Sequence, residues 1–182
     1  MTPKRPRLAD VDPATLIREG RLPERTIPVC LAADLVAEWE ELDRGRRETS
    51  RTDSLADPAS AIIAEMEKLR AEMEAATVTF RLRALPRRRW RELFAAHPPR
   101  KNPDGSTFQR DFLGVNYEAF FDALLKEVIV EPQLDDETLD LLLSEKLTDR
   151  QWEQLTDVAW NLNRGTVDIP FSQADSQNRR TS

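Results

Sequence analysis

Leu55, Ala59, Ile62, Met66, Leu69, Met73 and Ala76 recur at alternating spacings of four and three, the clearest periodicity in the chain. A seam of that length commits about six turns to one helix with a narrow apolar stripe. Glu65, Glu67, Lys68, Arg70, Glu72 and Glu74 flank it, so the rest of the helix surface faces water. Asp57 is a candidate N-cap, and Pro58 stands at the first helical position, where its missing amide is no loss. Upstream, Leu35, Trp39 and Leu42 are spaced four and three apart, which predicts an amphipathic helix from Ala32 to about Arg47 and a polar turn over 48–53. Two helices with narrow seams and a short polar connection form an antiparallel hairpin. The seam from Leu55 to Ala76 serves either that hairpin or a self-assembly contact, and Met66 and Met73 read as gap fillers within it.

Two segments with strand character flank the hairpin. Thr26 to Leu31 is β-branched and apolar, with Pro28 suited to an edge; in 77–83, Val78, Phe80 and Leu82 alternate with Thr79, Arg81 and Arg83. A helical excursion between them returns the chain to its starting point, so the two strands are expected to pair, with one face buried and the other basic and wet. A two-stranded sheet is marginal alone and needs a helix on its apolar face. The segment from Pro86 to Ala96, with Trp90, Leu93 and Phe94 inward and Pro98 and Pro99 behind it, is expected to supply that cover.

After a loop over 99–114 with a turn at Lys101 to Gly105, helical spacing resumes. Tyr117, Phe120, Phe121, Leu124, Leu125 and Val128 share one stripe, with Asn116 as candidate cap and Glu131-Pro132 as terminator. Asp135 opens a further helix carrying Leu139, Leu142 and Leu143 inward. Thr148-x-x-Gln151 has the capping-box form before a last helix with Trp152, Leu155, Ala159 and Leu162. The expected fold is therefore α+β and mainly α: a two-stranded β element, an inserted antiparallel helical hairpin over about 33–76, and a helical C-terminal half. Residues 1–24, with five prolines or glycines, read as a flexible arm with one or two helical turns; 25–165 read as a single domain, and 166–182 as a tail anchored only by Val167, Ile169 and Phe171.

Charge is unevenly spread over a formal net of -6. From Arg81 to Lys101 eight basic residues face one acidic residue, Glu92; from Glu118 to Asp157 twelve acidic residues face three basic ones, Lys126, Lys146 and Arg150. The two blocks are mutually complementary, within a chain or between chains, and the acidic one repels phosphate. Charged residues make up 33% of the chain, the mark of exposed helices rather than of a thick-cored enzyme. No stretch reaches the roughly 18 uncharged apolar residues of a membrane span, and the leading Met-Thr-Pro-Lys-Arg-Pro-Arg lacks the apolar core of a signal peptide, so a cytoplasmic protein is expected.

The search for chemistry gives mostly negatives: no Gly-rich phosphate loop, no H-E-x-x-H, no G-x-S-x-G and no paired cysteines. The lone Cys30 sits in an apolar run and reads as a small buried residue. His97, between a helix end and two prolines, reads as a helix-terminus contact rather than a general base. Asp135, Asp136 and Glu137 suit a helix start without any ion. No catalytic residue, cofactor or metal is expected. The candidate partner-binding residues are Arg87, Arg88, Arg89, Trp90, Trp152 and Trp160: the arginines either meet an acidic or phosphate group or form a solvated face, and the indoles are either core or partner-facing.

Read as one ordered string, 20–175 resembles the tail assembly chaperones of long-tailed bacteriophages, especially those of actinobacterial hosts. The residues that carry the resemblance are Leu22-Pro-Glu-Arg-Thr-Ile-Pro-Val-Cys30, then strand, helical hairpin and strand, then Arg89-Trp-Arg-Glu-Leu-Phe-Ala-Ala-His-Pro-Pro99. The aromatic helix and Glu-Pro phrase of Tyr117 to Pro132, the Leu147 to Trp152 helix start, and Val167-Asp-Ile-Pro-Phe-Ser172 follow. The loop Asn102 to Arg110 departs from the pattern. The resemblance implies a non-enzymatic factor made in the host cytoplasm. Such a factor binds the tape measure protein, keeps it soluble, promotes assembly of tail tube protein around it, and is absent from the mature virion. It also implies, as further partners, the tail tube protein and a frameshift-extended form of the chain itself. Two rival readings stand beside it: a nucleic-acid-binding regulator using 81–101, and a structural tail or connector protein retained in the virion.

Overall fold

A computed structural model of the protein describes residues 12–49 and 58–165. The connection that holds Leu55 and Asp57, and the segment with Val167, Ile169 and Phe171, lie outside the described residues. Helix α1 (Pro13–Glu19) starts at Asp12, whose carboxylate accepts from the Ala14 and Thr15 amides, and it buries none of its side chains. Strand β1 (Glu24–Cys30) leads to α2 (Ala33–Thr49) and α3 (Pro58–Ala75), then to β2 (Thr77–Arg83) and α4 (Arg87–Ala96). The C-terminal half comprises α5 (Tyr117–Val128), β3 (Ile129–Glu131), α6 (Asp136–Leu141) and α7 (Asp149–Arg164). This is the expected α+β architecture, mainly helical, with the hairpin inserted between two paired strands.

The strands form an antiparallel sheet of order β1-β2-β3, with Glu24 opposite Arg83 and Cys30 opposite Thr77. The first strand begins two residues earlier than Thr26, because the amide of Ala84 still reaches the Pro23 carbonyl oxygen at 3.0 Å. Strand β3 adds to the expected pair. Ile129-Val130 is β-branched, Pro132 excludes helical backbone at Glu131, and the free edge of β2 offers hydrogen-bonding groups to occupy. Glu131 lies opposite Arg81, across a register irregularity.

Helices α2 and α3 pack on one another along the expected seam: Leu35, Trp39 and Leu42 are half-buried, as are Ile62, Met66 and Met73, and Leu69 is buried. None of these belongs to the main core cluster. The foot of the hairpin is fastened to the sheet, where the Leu31 amide donates to the Ala76 carbonyl oxygen at 3.0 Å and the Thr77 hydroxyl donates to that of Met73 at 2.7 Å.

The main core gathers Val29, Phe80 and Leu82 of the sheet with Phe120, Leu124, Leu125 and Val128 of α5, and Leu155 and Ala159 of α7. Its cover differs from the expected one: α7 lies against β1 and β2, while α4 packs on α5. The reason is length. Helix α7 runs 16 residues from its Thr148 capping box and spans the sheet, whereas α4 has 10 and stops at His97 before the prolines. Helix α7 is also anchored at both ends, where Gln151 Nε2 donates to the Cys30 carbonyl oxygen at 2.6 Å and Asn163 Oδ1 accepts from the Leu85 amide at 2.8 Å.

Candidate interaction surface

The inward stripe of α4 holds Trp90 and Leu93 in the core, which turns Arg87, Arg88, Arg89 and Arg91 to the surface. Much of the basic block is neutralised within the molecule. Arg81, on the outer face of the sheet, meets Glu24 at 2.7 Å and also Glu131; Arg83 meets Glu24 at 2.6 Å. Arg89 Nε donates to Glu127 at 2.7 Å, and Arg100 reaches Glu118 at 3.5 Å. Arg81–Glu131, Arg89–Glu127 and Arg100–Glu118 join the basic block to the acidic one. The guanidinium of Arg81 is held more basic than usual by its bonds to Glu131 and Glu24, and that of Arg89 by Glu127. The carboxyls of Glu24 and Glu131 are held below their ordinary value by the same arginines. Among the described residues Arg88 pairs with Glu92 of its own helix, at 3.0 Å. Arg87 and Arg91 have no carboxylate partner among the described residues; with Arg88, Glu92 and Ala95 they line a shallow depression on the outer face of α4.

The structure brings the three candidate indoles into one aromatic cluster. The Trp90 ring lies 5.5 Å from Phe120 and 5.6 Å from Trp160; Trp152 lies 5.7 Å from Tyr117 and 6.0 Å from Phe121. Edge-to-face geometry dominates, as the ring quadrupole favours. At 9% exposure Trp90 is not a partner-facing residue, because its ring fills the junction of α4, α5 and α7. Trp152 and Trp160 are half-buried, and the Trp152 indole N–H is already satisfied by Asp122 at 2.8 Å. Of the six candidates, Arg87 and Arg88 are the ones left facing outward without a bond to another element of the described structure.

Sequence reasoning missed the stapled loop between α4 and α5. Asp111, 1% exposed, accepts from the Arg100 amide at 2.7 Å, the Arg100 guanidinium at 2.8 Å and the Tyr117 amide at 3.1 Å. The guanidinium, first, and those amides hold its carboxyl far below the usual carboxylate range against the pull of burial. The loop needs left-handed backbone at Gly105 and Gly114, with φ of 83° and 85°. It carries exposed aromatic side chains: Arg100 lies over the Phe108 ring at 4.5 Å, and Phe112, 75% exposed, stacks beside Tyr117 at 6.4 Å. Two phenylalanines in an otherwise polar, glycine-punctuated loop were the available signal.

Among the described residues no group of three or more His, Cys, Asp or Glu side chains is placed to hold a metal ion. Asp135 caps α6, accepting from the Thr138 amide at 2.7 Å. His97 Nδ1 donates to the Leu93 carbonyl oxygen at 2.9 Å, closing the end of α4. No helix among the described residues is long and apolar enough to cross a membrane. Comparison with protein-family models, curated proteins and solved structures finds no match for this chain.

Proposed function

We propose that this chain is a bacteriophage tail assembly chaperone, a non-enzymatic factor of the host cytoplasm that binds the tape measure protein and keeps it soluble while the tail tube assembles. The observation that carries the reading is the ordered string of phrases from Leu22 to Ser172, in which a strand, a helical hairpin, a strand, a Trp helix with His-Pro-Pro and an aromatic helix with Glu-Pro succeed one another. The hairpin supports it physically. Helices α2 and α3 bury a thin seam outside the main core and present long charged faces, a form suited to covering the apolar stripe of a partner helix while keeping the complex in solution. The nucleic-acid reading loses ground because Arg81, Arg83, Arg89 and Arg100 are engaged by carboxylates.

The test is co-expression of the full chain with the tape measure protein encoded downstream in the same genome. Expected is a soluble complex that co-purifies, with the chain missing from finished particles. An insoluble tape measure protein beside a folded, unbound chain overturns the proposal, and recovery of the chain in purified virions replaces it with the structural reading.

A further inference from the structure

Two surfaces among the described residues carry a stripe of charge with no ion pair to another element. The first is the α4 stripe, where Arg87 and Arg91 stand one helical turn apart with Arg88 beside them and no carboxylate across from Arg87 or Arg91 among the described residues. The second is formed by Phe112 and Tyr117 with α7, whose Asp149, Glu153 and Asp157 are exposed and also succeed one another at intervals of one turn. The Tyr117 ring lies 5.7 Å from that of Trp152, the neighbour of Glu153 on α7, so the aromatic rings and the carboxylates belong to one patch; in keeping with this, after burial, the charges of Glu153, Asp157 and Asp149 push the Tyr117 hydroxyl pKa up. Arg110 lies over the Tyr117 ring at 5.9 Å and is paired with Glu118 at 3.1 Å, so its charge is engaged within the patch, and Arg150 follows Asp149 on α7.

Phe112 requires an explanation. A side chain 75% exposed is held on a loop fixed by the buried Asp111 rather than on a loose one, and rigid, exposed aromatic side chains rimmed by charge are characteristic of protein-binding sites. The rim is acidic, so the occupant is basic. Among the described residues the α4 stripe is a basic surface of this chain whose Arg87 and Arg91 meet no carboxylate. Both stripes repeat at about 6 Å, the rise of four helical residues, so two helices laid along one another meet charge against charge. An arginine is also the natural cover for a phenyl face, as Arg100 over Phe108 already is.

We propose that copies of this chain associate with one another, the α4 stripe of Arg87, Arg88 and Arg91 in one copy docking on the Phe112, Tyr117, Glu153 and Asp157 surface of another. The contact is between unlike patches, so each copy offers both halves. It stands independently of the tape measure reading, and its primary test uses the chain alone.

The test is analytical ultracentrifugation of the full chain at low salt and at about 0.5 M salt, where exposed charges are screened. Two charge-reversed variants are compared, one with Arg87→Glu and Arg91→Glu, the other with Glu153→Lys and Asp157→Lys, each checked for native circular dichroism and melting. Expected is concentration-dependent association of the wild type that weakens at least tenfold in high salt. Each variant alone should be monomeric, and an equimolar mixture of the two should associate again. Phe112→Ala should weaken association about tenfold while leaving its salt dependence in place. A wild type that stays monomeric at low salt and high concentration overturns the proposal, as does association that survives either reversal, or a mixture that fails to recover it. If the chain alone is monomeric and these same variants instead abolish capture of the tape measure protein, the surface belongs to that partner and the self-association reading falls.

Discussion

Asp111 closes the loop between α4 and α5 by accepting from two backbone amides and one guanidinium while 1% exposed. Removing such a carboxylate strands the donors it served. Arg100 is 35% exposed on its side-chain atoms and turns to water, so the cost of Asp111→Ala falls below that of breaking a fully buried pair, at about 2 kcal/mol, read as a shifted denaturation midpoint at unchanged slope. The same residue sets a pH dependence. Its folded-state carboxyl titrates well below the ordinary value of about 3.9, so its contribution is fully present above that pH and fades as pH falls toward the folded-state value. Wild type is therefore expected to lose stability faster than Asp111→Asn from about pH 4 downward, and parallel stability profiles for the two proteins would refute the assignment.

Local signals specify most of the elements. The caps at Asn116, Asp135 and Thr148 each engage the amide that their position in the sequence designates, and the Ile62 to Met73 seam faces α2 as its spacing requires. What was not legible depends on partners distant in sequence. Glu131 is drawn into β3 opposite Arg81, 50 residues earlier, and Asp111 meets Arg100 across a loop with no periodicity to read. The cover of the sheet by α7 rather than α4 also escaped, because amphipathicity states that a helix has an apolar face and not which surface receives it. The hairpin yields a prediction at this scale. Leu69 is 3% exposed in the seam yet outside the main core, so Leu69→Ala should cost about 3 kcal/mol locally and raise hydrogen exchange throughout α2 and α3. Amides of α5 and β2 should keep their protection. Equal loss of protection in all four elements would show that hairpin and core unfold as one unit.

The whole molecule carries a net charge of -6 and folds Arg81, Arg89 and Arg100 of its basic block onto its own acidic block. A phosphate backbone competing for this surface must break Arg81 from Glu24 and Glu131, Arg83 from Glu24, and Arg89 from Glu127, and among the described arginines of the block it finds Arg87, Arg88 and Arg91 without a partner from another element. The acidic residues of α7 further repel it. Binding of duplex DNA should therefore be undetectable at physiological salt. Where low salt reveals any, the logarithmic dependence on salt should have a slope of no more than about 3, close to the number of open arginines, because each phosphate neutralised contributes a slope of roughly 0.9. A fluorescence-anisotropy titration over a salt series measures both quantities. Tight binding at physiological salt with a slope of about 6 or more would mean that the intramolecular pairs open for phosphate. The basic block would then be a nucleic-acid surface held shut by its own carboxylates, and the reading of this chain as a protein-binding assembly factor would fail.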